Sequence, residues 1–337
     1  MQHPLLNLGA IGFSPEQQAL IQAQLSLNQA ELYTDAQAGE SGHPVWQLTD
    51  HTIANALLLN AQHISWTDKH DLRFHADAQH SDIVGLRLSE LSMPYAISGK
   101  LTAQVAAIVP SAAPNTLLHD KRSVVHTLQY FEAMLRPLRT LFALGFHMTE
   151  RESELDNAHV FHVDLNGQLQ AIVDMPEQRV IVRDGLRPFD LEDSAWSPRP
   201  KSANSVPAGF IVWATEELAW VLGMHGQRCA LPSRYFVKPI YFRRMPRVRA
   251  RMLYPRHSAL LELLGQQVWK FADLWAALGG SDEVLKRDLY ALYLCQAITT
   301  TAHKASAALS SGGSGKDGPQ TSRLDGSFDL PTMAGEF

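Results

Sequence analysis

The sequence predicts an α/β protein built from several modules, and three observations carry that expectation. Strand-like and helix-like stretches alternate through the first 145 residues. A strand–Asn-Gly–strand pattern sits in the middle of the chain, and three short helical segments follow it ahead of a Gly/Ser-rich end. At 337 residues the chain is long enough for two or three domains, each burying its own core. The expected division is a small parallel α/β module over 1–145, a β-rich middle region over 146–255, a helical unit over 256–305 and a flexible tail over 306–337.

Residues 6–13 read as a buried strand, and Ser14-Pro15-Glu16-Gln17 starts a helix. Ser14 caps, Pro15 suits the first helical position and Gln17 completes a capping box. Residues 30–34 and 45–48 read as further strands, and Thr49 or Asp50 as the cap of a helix running to Gln62. Residues 83–88 and 95–98 are short strand candidates, and 124–144 has helical apolar spacing. In the middle region, VFHVDLNGQLQAIVD predicts a hairpin turning at Asn166-Gly167, and RVIVRD supplies a third strand. SAWSPRPKSANSVPAG reads as a Pro/Ser-rich loop. Helices are expected over 258–267, 271–278 and 281–296, the last capped by Ser281 with Asp282 and Glu283 favourable in its first turn.

A net charge of −5 and a pI near 6.3 argue against a general nucleic-acid coat protein, so any polyanion contact must be local. Cys229 and Cys295 are far apart and form no CxxC pair, which excludes a disulfide scaffold and fits a reducing compartment. No charged region precedes the first apolar run, and FIVWATEELAWVLG is broken by Glu216 and Glu217. Neither a signal peptide nor a membrane span is expected, and the expected location is the cytoplasm.

Catalytic motifs are weak. SSGGSGKD has Ser310 and Asp317 where a P-loop needs Gly and a hydroxyl residue, so it reads as linker. His63, His70, His75 and His80 lie among aspartates, but their spacing matches no zinc module. His162 and Asp164 share one strand face and could act as an acid–base pair, without a nucleophile or oxyanion motif beside them. No cofactor and no metal are expected. An enzyme with an unrecognised His/Asp site remains one reading.

The unusual feature is RYFVKPIYFRRMPRVRARMLYPRH, with seven arginines, one lysine and no acid. Arginine binds phosphate bidentately and stacks on bases, which makes Arg243, Arg244, Arg247, Arg249 and Arg251 a candidate anion site. Tyr235, Phe236, Tyr241, Phe242 and Tyr254 offer stacking platforms. The competing expectation is internal neutralisation by residues 150–193, which carry eleven acids against four arginines.

The N-terminal segment resembles the receiver domains of bacterial response regulators, in strand–helix alternation and in length. Receivers carry an acidic pair after the first strand, whereas this chain has Gly12-Phe13-Ser14-Pro15. The resemblance therefore implies a degenerate receiver in which Asp50, at the phosphoacceptor's expected place, is not phosphorylated. LWAALGGSDEVLKRDLYALYLCQAITT resembles the helical end of PATAN and other winged-helix modules of bacterial regulators. Arg243-Arg244-Met245-Pro246-Arg247 is similar to the RxxxR element of PilZ domains, which hold cyclic di-GMP; PRHSALLELLG lacks that family's downstream D/NxSxxG motif. Asp282, Glu283 and Asp288 in the recognition-helix position disfavour DNA readout and favour protein contact. The expectation is a non-enzymatic regulatory or adaptor protein in a bacterial signalling pathway, acting on a protein partner. The alternative is a nucleotide or nucleic-acid sensor working through the arginines.

Overall fold

A computed structural model describes residues 3–36, 44–50, 53–60, 64–68, 71–74, 85–87, 106–109, 121–157, 159–199 and 206–306. It is a mixed α/β structure that divides into two compact units. Unit 1 comprises Met1–Thr140 and Arg249–Pro255; unit 2 comprises Leu141–Val248 and the described residues from Arg256 onward.

Unit 1 is built on a four-stranded parallel sheet. Its strands are β1 (Leu5–Ile11), β2 (Val45–Thr49), β3 (Ala56–Asn60) and β7 (Ala106–Val109), in the order β2-β1-β3-β7. Between β3 and β7 lies a separate antiparallel sheet of β4 (Ile64–Asp68), β5 (Asp71–Phe74) and β6 (Gly85–Arg87). Every residue of β3 is buried, as befits a central parallel strand covered on both faces. The helix α1 (Pro15–Ala36) begins with the expected capping box: Gln17 N–H donates to Ser14 Oγ at 3.3 Å, and Ser14 N–H to Gln17 Oε1 at 3.0 Å. Helices α2 (Lys121–Met134) and α3 (Arg136–Glu150) are nearly continuous, interrupted at Leu135 where Pro137 removes an amide donor. Trp46 packs at 6.2 Å from the Phe131 ring and donates its indole N–H to Glu132 Oε1 at 3.1 Å.

Two of the expected elements are overturned here. Residues 30–34 belong to α1, not to a strand. The helix expected from Thr49 or Asp50 to Gln62 is instead the end of β2, a short crossing and β3. Short apolar runs such as ALLLN have no period that separates helix from strand, and burial on both faces decides for strand. The crossing from β2 to β3 is held by side chains. Asn7 N–H donates to Asn55 Oδ1 at 2.8 Å, and Asn55 N–H to Asn7 O at 2.7 Å. Asp50 therefore follows the second strand at the sheet edge, and Asn60 stands at the end of the third. Asn60 donates to Gly12 O at 2.9 Å, tying down the β1–α1 loop.

Unit 2 holds a five-stranded antiparallel sheet in the order β11-β8-β9-β10-β12. These are β8 (Val160–Leu165), β9 (Gln168–Asp174), β10 (Arg179–Arg183), β11 (Ala195–Pro198) and β12 (Phe210–Ala214). The hairpin turns at Asn166-Gly167 with φ of 51° and 77°, the left-handed pair that Asn-Gly supplies at least cost. Part of the expected Pro/Ser-rich loop is β11, paired with β8.

The sheet leads directly into α4 (Thr215–His225), whose start is capped by Glu217 accepting the Ala214 N–H at 3.0 Å. There follow α5 (Arg234–Val237), β13 (Tyr241–Phe242), α6 (Pro255–Gln266), α7 (Phe271–Leu278), α8 (Asp282–Leu294) and β14 (Ile298–Thr299). Ser281 caps α8 by accepting from the Glu283 N–H, as expected, and α7 turns into it through Gly279 and Gly280 at φ of 70° and 81°. β13 pairs antiparallel with β14. α4 lies directly against α8 at Gly223, where an added Cβ would stand 2.6 Å from Ala291 Cα. No helix among the described residues is long and apolar enough to cross a membrane. Residues 95–98 and the tail from 307 lie outside the described residues.

Candidate functional site

The arginine-rich segment is divided between the two units. Arg243, Arg244 and Arg247 belong to unit 2, whereas Arg249 and Arg251 belong to the stretch that completes unit 1. Within unit 2 the segment runs along the end of α8. Arg243 and Arg244 donate their backbone N–H groups to Ala297 O at 2.8 and 3.3 Å. The Arg244 guanidinium donates to Glu216 Oε1 at 2.7 Å and to Cys295 O at 3.0 Å. The second Glu216 oxygen accepts the Arg247 backbone N–H at 2.6 Å, while the Arg247 side chain points largely to solvent, 62% exposed. Arg243 is exposed and donates to Gln296 Oε1 at 3.1 Å. Cys295 donates its thiol hydrogen to Glu216 O at 3.3 Å; burial pushes that thiol well above its ordinary pKa, so it is not a reactive thiolate.

Arg256, the last arginine of the segment, makes a two-pronged ion pair with Asp288, at 2.9 and 3.0 Å. His257 Nε2 reaches Asp288 Oδ1 at 2.9 Å, and Trp220 packs edge-on against the imidazole at 4.8 Å. Burial holds His257 below the ordinary histidine value, so the neutral ring donates to the carboxylate. Burial alone would raise Asp288, but facing His257 and Arg256 it ends below its ordinary value; we assign that lowering to the permanently charged Arg256.

These acids are not the ones expected to neutralise the segment. Asp174 pairs with Arg179 and Asp190 with Arg187, both within the acidic stretch itself, whereas Glu216 and Asp288 lie outside it. Non-local folding brings them in from α4 and α8.

His162 and Asp164 lie on β8. Burial lowers the His162 pKa, and its Nε2 has no hydrogen-bond partner. Among the described residues no group of three His, Cys, Asp or Glu side chains is placed to hold a metal. His63, His70, His75 and His80 lie outside the described residues.

A surface that charge counting did not show lies on α5 and α7. In α7, Phe271, Leu274, Trp275 and Leu278 recur at i, i+3, i+4 and i+7, the spacing of a buried face, yet only Leu274 is buried. Phe271 meets Phe236 of α5 at 5.0 Å between ring centroids. Val237 is 76% exposed and Trp275 43%, with Val268 exposed nearby in sequence. Lys238 and Lys270 are exposed in the same two segments. The apolar periodicity of FADLWAAL was legible in sequence; the exposure of that face among the described residues was not.

No protein-family model, curated protein or solved structure matches the chain.

Proposed function

We propose that the protein is a non-catalytic regulator or adaptor, of the kind its resemblance to bacterial response regulators implies, and that it acts through a protein contact made by α5 and α7. The observation that supports this is the apolar face of Phe236, Val237 and Trp275 left open to solvent, with the half-buried Phe271 ring against Phe236. Aromatic anchors with a charged margin are the composition of protein-binding patches, and the two lysines favour an acidic partner segment. Val237→Ser with Trp275→Ser should leave the thermal midpoint within a few degrees of wild type and weaken partner binding at least tenfold. Affinity capture from source cells, followed by titration of the captured protein against both forms, checks this. Unchanged affinity in the double variant would overturn it.

A second reading, a nucleotide or nucleic-acid sensor, is favoured by the exposure of Arg243 and Arg247 on one short segment. Arg247 holds Glu216 through its backbone, so Arg243→Ala with Arg247→Ala keeps that bond and should cost less than about 1 kcal/mol. Calorimetric titration with cyclic di-GMP and with short DNA then isolates binding from folding. On the adaptor reading, neither ligand gives heat with either protein.

A further inference from the structure

The apolar face of α5 and α7 stands beside the last described residue of the chain. Ser306 donates its N–H to Phe242 O at 2.8 Å, which holds the chain against β13 at that point. Two residues before Phe242, Ile240 exchanges backbone hydrogen bonds with Trp269, at 2.7 and 3.2 Å. That bridge ties the chain leaving α5 to the chain entering α7. Lys238, Val268 and Lys270, all exposed, lie within two residues of it. The face and Ser306 both belong to unit 2.

Beyond Ser306 the sequence runs AALSSGGSGKDGPQTSR and then LDGSFDL over 324–330. Read as an extended segment, LDGSFDL puts Leu324, Phe328 and Leu330 on one side and Asp325 and Asp329 on the other. That chemistry complements the face. The apolar side offers a ring and two leucines to Phe236, Val237 and Trp275, and lysine side chains are long enough to reach carboxylates past an apolar seam. Asp273, the acid of α7, follows Phe271 by two residues, roughly 200° round the helix and so on the side away from the face. The reach also fits. Leu324 lies eighteen residues beyond Ser306, and a Gly/Ser-rich linker of that length has a root-mean-square span of about 20–25 Å. The five residues from Phe242 back to Val237 span at most about 18 Å. Attachment then gives the segment an effective concentration at the face on the order of millimolar. A second copy at micromolar concentration competes poorly with that.

We propose that residues 324–330 dock on the α5/α7 face of their own chain, so that a partner gains the face by displacing them. This rests on the surface used in the adaptor reading and adds its regulation. Hydroxyl-radical footprinting of the full chain, read by mass spectrometry at Trp275 and Val237, tests it with no partner present. Both should be oxidised at least threefold more slowly in wild type than in Phe328→Ser with Leu330→Ser. Asp325→Lys with Asp329→Lys should also lose the protection, and adding Lys238→Glu with Lys270→Glu should restore it. Tyr130, exposed on α2 in unit 1, should label equally throughout and reports on folding. Equal labelling of wild type and the Phe328/Leu330 variant overturns the proposal, as does a charge swap that restores nothing. Protection that rises with protein concentration also overturns it, in favour of a second copy. Any of these results leaves the adaptor reading standing, because that reading fails only on partner affinity.

Discussion

Asp288→Ala is expected to destabilise unit 2 by about 3–5 kcal/mol, because it strips a buried carboxylate from two partners at once. Arg256 would lose both prongs of its ion pair while remaining mostly buried, and His257 would lose the acceptor for its Nε2–H. The exposed part of the guanidinium can still reach water, which keeps the loss towards the lower end of that range. Urea denaturation at neutral pH measures it. The same cluster sets a pH dependence. His257 and Asp288 both have folded pKa values below their ordinary ones of 6.5 and 3.8. As pH falls below about 6.5 the unfolded chain protonates His257 before the folded chain does, so stability declines towards the folded pKa. Asp288 adds a second decline below about pH 4, again because the unfolded chain takes up the proton first. Both contributions are complete at neutral pH. His257→Gln keeps a donor for Asp288 and reduces the first decline to the part that His162 and His147, also held low by burial, contribute. A wild-type stability that is flat between pH 7 and 5 would contradict the assignment of a neutral buried ring.

Gly223 carries the second large effect. A methyl group there would stand 2.6 Å from Ala291 Cα, 2.9 Å from its Cβ and 3.1 Å from its backbone nitrogen. Replacing glycine by alanine in a helix ordinarily stabilises it by about 1 kcal/mol. Here the overlap is chiefly with backbone, so α4 and α8 must move apart, and a net loss of about 2–3 kcal/mol is expected. Ala291→Gly should restore only part of it, since it removes the Cβ and leaves the closer Cα. Gly265 in α6 gives the contrast: nothing lies within 4 Å of its added Cβ, and Gly265→Ala should hold or slightly raise stability. Thermal melts of the three single variants and the Gly223/Ala291 double variant complete the comparison.

What was legible in the sequence was what short-range chemistry settles. Ser14 and Gln17, Asn166-Gly167 and Ser281 each act on neighbours within a few residues, and each stands where its type and spacing put it. Residues 30–34 and 56–60 failed because short mixed or apolar runs fit either backbone until tertiary burial chooses. For the arginine segment the charge count was correct, and what the sequence misplaced was the source of its acids: Glu216 and Asp288 reach Arg244 and Arg256 from 28 and 32 residues away along the chain, through helix packing that no local pattern encodes.

Unit 1 closes with a stretch from far along the chain. Asn55, buried at the crossing between β2 and β3, donates to the hydroxyl of Tyr254 at 3.3 Å, and Tyr254 is itself buried. A ribosome delivers Asn55 early and Tyr254 only after residues 141–248 have been made. At 5–20 residues per second the first-made unit waits roughly ten seconds for its last piece, during which most of the second is already emerging. A fragment cut at residue 145 therefore carries every strand of the parallel sheet and still lacks the hydroxyl that meets Asn55.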